Sequence, residues 1–104
     1  MTDISPQDLK TRLDRKDSLV LLDVREEWEA ALCRLENATH IPIEEIELRT
    51  AELDPADDIV VYCHHGVRSA AVANFLRQQG FNAVNLAGGL DQWAQSVDRT
   101  MRRY

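Results

Sequence analysis

The apolar positions of this chain fall into short blocks separated by polar turns, and the blocks alternate between two periods. Ser18-Leu19-Val20-Leu21-Leu22 and Asp58-Ile59-Val60-Val61-Tyr62 are apolar runs without polar alternation. Runs of this kind, bounded by polar residues, read as strands buried on both faces, as in a parallel sheet. Phe81–Leu86 is a further short strand, Thr39-His40-Ile41 a shorter one stopped by Pro42, and Ile4 starts a short edge strand.

Between these runs the period becomes helical. Ser5-Pro6-Gln7-Asp8 supplies an N-cap, a proline at the first helical position and an acid at the third, opening a helix over 6–14 with Leu9 and Leu13 on its apolar side. Glu26–Leu32 predicts a short helix with acids near its positive end, and Trp28 reads as core or pocket edge. Residues 43–49 suggest a short helix whose acids form a solvated face rather than a metal site, and 51–57 a linker containing Pro55. Ser69–Gln79 carries Val72, Phe75 and Leu76 at helical spacing, closed by Gly80 where a left-handed residue is needed. Ala87-Gly88-Gly89 is a turn, and Leu90–Ala94 opens a final helix with Trp93 inward. Residues 97–104 read as a flexible basic tail. Strands alternating with helices predict an α/β fold, a mainly parallel sheet of about five strands with helices on both faces. Right-handed crossovers would bring the strand ends before Asp23, Cys63 and Ala87 to one edge.

Composition narrows the function. At 104 residues, 1–104 is expected to be one domain. A formal net charge of −6, with no long Lys/Arg run, argues against a nucleic-acid partner. No apolar run approaches the ~20 residues of a membrane span, and the N-terminus lacks the basic and apolar regions of a signal peptide, so the expected compartment is the cytoplasm. Cys33 and Cys63 form no disulfide framework, and no Cys/His cluster suggests a zinc site.

The chemistry concentrates at Cys63-His64-His65-Gly66-Val67-Arg68-Ser69, between the carboxyl end of one strand and the amino end of a helix. Unpartnered N–H groups and the helix dipole make that position an anion cradle, where a thiol ionises more easily. Gly66 can take the positive φ that a tight loop requires. Arg68 adds a fixed positive charge, and His64 or His65 either assists a leaving group or faces solvent. The plain alternative for Cys63 is an inert, packed thiol. Asp23 and Arg25 follow another strand's carboxyl end. Asp23 either bonds loop amides, pairs with Arg25 or Arg68, or only braces a turn. Cys33 is either a resolving thiol or a packed side chain at a helix end.

The loop resembles the active loop of the rhodanese family: a cysteine, a glycine three positions on, and an Arg-Ser ending. Leu21-Leu22-Asp23-Val24-Arg25-Glu26, His40-Ile41-Pro42 and Gly88-Gly89-Leu90-Asp91-Gln92-Trp93 are similar to the family's other signatures, in order, and the resemblance spans 4–94. It implies a sulfurtransferase that carries sulfur as a persulfide on Cys63 within the loop 64–69. The implied donor is a small anion such as thiosulfate, and the acceptor a thiol or a sulfur-accepting protein. No metal or organic cofactor is implied, and His40 is implied to be structural. The loop and Leu32-Cys33-Arg34-Leu35 also resemble rhodanese domains fused to ubiquitin-like activating enzymes, a role that would depend here on a separate partner; a persulfide relay with little turnover is the alternative to the enzyme. Cysteine phosphatases and arsenate reductases place an arginine six positions after the cysteine. Here Arg68 is five positions after Cys63, a smaller cradle that suits one extra sulfur atom better than a phosphoryl group.

Overall fold

The parallel strands expected from the apolar runs are present in the structure, a computed structural model that describes residues 2–104. They are β1 (Asp3–Ile4), β2 (Val20–Asp23), β3 (Thr39–His40), β4 (Asp58–Tyr62) and β5 (Asn82–Leu86). All pairings are parallel, in the order β1-β5-β4-β2-β3. Five helices connect or follow them: α1 (Pro6–Asp14), α2 (Glu27–Leu32), α3 (Ile46–Arg49), α4 (Val67–Gln78) and α5 (Gly89–Ser96).

The absence of polar alternation in the strands has a direct cause. Leu22, Ile59 and Val61 pack with Ile46, Val72 and Leu76 on the α3/α4 face, while Leu21, Val60 and Tyr62 pack with Leu9, Leu90 and Trp93 on the other. Successive side chains point to opposite faces and both faces are covered, so residues of both parities are apolar through Val20–Leu22 and Ile59–Val61. Each fully buried aliphatic side chain contributes roughly 1.5–3 kcal/mol.

The boundaries differ from the expectation where backbone geometry outweighs propensity. β2 begins at Val20 rather than Ser18 and takes in Asp23, because its register against β4 runs from Val20↔Ile59 to Asp23↔Tyr62. α4 begins at Val67, two residues before the expected Ser69. Gly66, at φ +91°, turns the chain and caps the helix, and its carbonyl accepts the Ala70 N–H at 3.3 Å. Val67, Arg68 and Ser69 thus belong to the first helical turn rather than to a loop. α5 likewise starts off Gly88 at φ +73°. Part of the expected 51–57 linker is a 3₁₀ turn over Thr50–Glu52. α1 matches: Ser5 Oγ accepts the Asp8 N–H at 3.0 Å.

Of the two places open to Trp28, core or pocket edge, the structure takes the edge: the side chain is 56% exposed and packs edge-on against the Tyr104 ring. The 97–104 segment folds back onto the molecule. Val97 and Met101 pack against the cluster that holds Trp93, Asp98 Oδ1 accepts the Thr100 N–H, and Arg103 bonds Asp91. Apolar side chains four residues apart, landing on an apolar face, bring the segment back over the molecule. Among the described residues, no helix is long and apolar enough to cross a membrane.

Candidate active site

Cys63 follows β4 directly, and its residue is 1% exposed. Its Sγ accepts the backbone N–H of Gly66 at 3.2 Å and of Ser69 at 3.3 Å, and lies 3.2 Å from Ser69 Oγ. Ser69 Oγ also lies 2.5 Å from Asn85 Oδ1, while Asn85 Nδ2 donates to Gly66 O at 3.2 Å. One hydroxyl proton cannot serve two acceptors. In the thiol form the S–H donates to Ser69 Oγ and the hydroxyl to Asn85; on ionisation the hydroxyl can turn its proton to the sulfur. Burial pushes the thiol pKa up, but the Ser69 and Gly66 donors and the Arg68 charge outweigh it, so the net shift is downward.

The loop is held in this curl from outside. The N–H of Leu90 donates to Cys63 O at 2.8 Å and that of Asp91 to His64 O at 3.0 Å. These are donors of the first turn of α5, so two helix N-termini meet at Cys63: α4 faces the sulfur and α5 takes the carbonyls. Space there is minimal. A Cβ on Gly89 would lie 2.4 Å from His64 O and 2.7 Å from Cys63 O, and its φ is +64°.

Above the cradle stands a rim of charged and aromatic side chains. Arg68 is not free: it donates to both oxygens of Glu29, at 2.6 and 2.9 Å. Glu29 is 3% exposed and also accepts the Tyr104 hydroxyl at 2.6 Å and the Glu26 N–H at 3.0 Å. The Arg68 bonds, above all, hold the Glu29 carboxyl down at about 2. Burial and the Glu29 carboxylate push Tyr104 up to about 12.

Asp23 and Arg25, both 0% exposed, form the floor of this rim. Asp23 takes two of the expected alternatives: it pairs with Arg25, accepting Nε at 2.9 Å and Nη2 at 2.7 Å, and braces its own turn by accepting the Arg25 backbone N–H at 3.0 Å, with the Tyr62 hydroxyl donating at 3.1 Å. It bonds neither Arg68 nor the loop. Arg25 goes on to Cys33 O at 2.6 Å and the Tyr104 hydroxyl at 3.1 Å, tying the end of α2 to the rim. His40 Nε2 lies 2.7 Å from Arg25 O, as a structural histidine would. Cys33 is half-buried with its Sγ 4.0 Å from Arg25 Nη1.

His64 and His65 stack face to face, with centroids 4.0 Å apart, and both approach Asp91. Burial and the neighbouring His65 push the His64 imidazole below its ordinary value. Donor atoms of His64, His65 and Asp91 lie within 4.8 Å of one another. The near-parallel stacked rings hold their in-plane lone pairs in two separate planes, which do not share one centre, and Arg103 already occupies the Asp91 carboxylate at 2.9 Å. Val67 points outward, 77% exposed.

The structure therefore brings His64, Gly66, Arg68 and Ser69 around Cys63 and leaves Val67 and His65 facing solvent. Glu29, Asn85, Asp91 and Tyr104 are additions that sequence reasoning missed. Glu29 carried a weak signal, as an acid in the helix after Asp23–Arg25. Asn85, a polar residue in a two-faced buried strand, carried a better one.

Comparisons with known proteins agree with this geometry. The chain is 36% identical over 91 residues to the putative sulfurtransferase YtwF of Bacillus subtilis, covering 88% of each protein. It is 38% identical over 97 residues to the putative sulfur carrier protein YrkF of the same organism, covering 92% of this chain but only 52% of that one, about half its length. A crystal structure of a rhodanese-like domain protein from Staphylococcus aureus superposes with a TM-score of 0.87 at 30% identity, covering 100% of this chain and 99% of that one. These relatives place the chain broadly among sulfurtransferases and sulfur carriers. The Rhodanese-like domain model matches residues 5–96, and the chain belongs to that family.

Proposed function

We propose that this chain is a single rhodanese-like unit that moves sulfane sulfur through a persulfide on Cys63. The observation that carries the reading is the set of N–H and O–H donors converging on one buried sulfur, with a thiol pKa lowered by them. The Cys63 thiolate attacks the outer sulfur of a donor such as thiosulfate. A sulfur–sulfur bond forms, the bond to the sulfonate sulfur breaks, and sulfite leaves with the electron pair. The persulfide anion then sits in the 64–69 cradle, against the same amides that held the thiolate. A thiol, cyanide or a sulfur-accepting protein attacks the terminal sulfur, and Cys63 departs as thiolate. Arg68 stabilises charge on the persulfide, and Asp23 with Arg25 acts only by bracing the loop's neighbours. The reaction runs without metal or organic cofactor, in the cytoplasm, with no role for nucleic acid or membrane.

A relay that passes sulfur between proteins with little thiosulfate turnover is the second reading. What favours it is the bidentate Glu29–Arg68 pair, which neutralises the charge that would attract a small dianion. Phosphate or arsenate chemistry is disfavoured by the five-position spacing from Cys63 to Arg68.

Intact mass after incubation with thiosulfate tests the reading. Wild type and Cys33→Ser are expected to gain one sulfur atom that cyanide removes, and Cys63→Ser to gain none. Equal gain in Cys63→Ser would overturn it. Loading by a protein persulfide but not by thiosulfate would select the relay.

A further inference from the structure

Arg103 and Tyr104 lie across the rim of the Cys63 site, although the sulfur transfer needs neither. The Tyr104 ring stacks on His64, with centroids 3.9 Å apart, and meets the edge of Trp28 at 5.7 Å. Its hydroxyl donates to Glu29 and accepts from Arg25. Arg103 fixes the neighbouring turn of chain to Asp91 at the start of α5, with Nε at 2.9 Å. Cys63 beneath is 1% exposed, and the cavity beside it, between Cys33, His64, Asp91 and Tyr104 and not lined by Cys63, holds about 10 Å³. That is room for about one water molecule and no sulfur donor.

The hold is of a kind that can be exchanged. Arg103 is 55% exposed, and an ion pair of that sort is weak and screened by salt. Below it the chain is fixed by Met101 on the core, and no regular element spans 101–104. The slot that Tyr104 fills offers an aromatic edge, an imidazole face, a guanidinium donor and a carboxylate acceptor. A small inorganic anion replaces almost none of these interactions. A polypeptide segment carrying a phenol or hydroxyl replaces most of them.

We infer that Arg103 and Tyr104 are specificity-determining residues: they strap the approach to Cys63 and yield more readily to a protein sulfur donor or acceptor than to a small anion. This rests on Cys63 as the sulfur carrier, and the test separates the two. The rate of Cys63 alkylation by iodoacetamide, located by peptide mass and followed across pH, reads access to the thiolate without sulfur chemistry. Its plateau at high pH is free of any change in thiol ionisation. Tyr104→Ala and the double variant Arg103→Ala/Tyr104→Ala are expected to raise that plateau by about five- to tenfold, since access scales with the open fraction. Tyr104→Phe, which keeps the ring and loses both hydroxyl bonds, should fall between them and wild type. KM for thiosulfate should drop in the same order.

An unchanged alkylation plateau in variants that keep the wild-type circular dichroism and melting temperature would overturn the strap, even if sulfur loading is normal. A raised plateau in a protein that never loads sulfur would uphold the strap and sink the carrier reading.

Discussion

The cradle around Cys63 and the rim above it are built by opposite means. Two of the cradle's donors to Sγ are backbone N–H groups, and its carbonyls are held by the N–H groups of Leu90 and Asp91. The rim is made of side chains from α2, α4, the β2–α2 turn and the last residues: Glu29, Arg68, Arg25 and Tyr104. Backbone donors are fixed by where a helix starts, and substitution changes them only by moving the chain. Rim groups are fixed by one another, so each removal leaves a partner exposed or uncompensated. Geometry therefore protects the cradle, whereas the rim is the part that substitution can retune.

The largest test of this contrast is Asp23→Ala. It leaves the Arg25 guanidinium buried without its carboxylate, and an expected loss of about 3–5 kcal/mol should appear in urea denaturation. A loss below 1 kcal/mol, on the order of a surface change, would mean that Tyr104 and the α2 carbonyls suffice to hold Arg25. Next is Gly89→Ala, which attacks the cradle through its backbone. The added methyl would overlap the Cys63 and His64 carbonyls, so a cost of about 2–4 kcal/mol is expected, together with poor sulfur loading. Loss of loading with full stability would show that the loop can shift without the fold.

Ser69→Ala removes the side-chain donor to Cys63 Sγ. Its expected effect is about 1–2 kcal/mol on the thiolate, read as an upward move of the alkylation midpoint toward that of an ordinary thiol. A midpoint that stays put would assign the whole effect to backbone amides and Arg68. Smallest is Glu29→Gln, at about 1 kcal/mol, because the Arg68 side chain is a third exposed and partly screened. Here the sign carries the information. Folding lowers the Glu29 carboxyl from 4.5 to about 2, so its contribution is complete above pH 4.5 and is lost as pH falls toward 2. Denaturation midpoints of wild type and variant should converge in that window; convergence above pH 5 would point to another group.

The same contrast explains what could be read from sequence. The cradle is contiguous from Cys63 to Ser69, and strand, glycine and helix sit in the order that the chemistry needs. Even so, the helix starts at Val67 rather than at Ser69, because the left-handed backbone of Gly66 turns the chain into it two residues earlier. The strands were legible because burial on both faces writes itself as an apolar run. The Arg25, Glu29, Arg68 and Tyr104 assembly was not, since its members lie up to 79 residues apart and their charges look like solvated surface. Arg68 illustrates the limit: its spacing from Cys63 was visible, and its carboxylate partner on α2 was not.

Trp28 gives the rim a property of its own. The chain has two tryptophans, Trp93 buried at 5% exposure and Trp28 open to water at 56%. Their emission should separate into a blue component from the core and a red one from the rim. Only the red one has Tyr104 against its indole. Selective quenching of that component by acrylamide would report, without any label, how often the phenol leaves its seat during turnover.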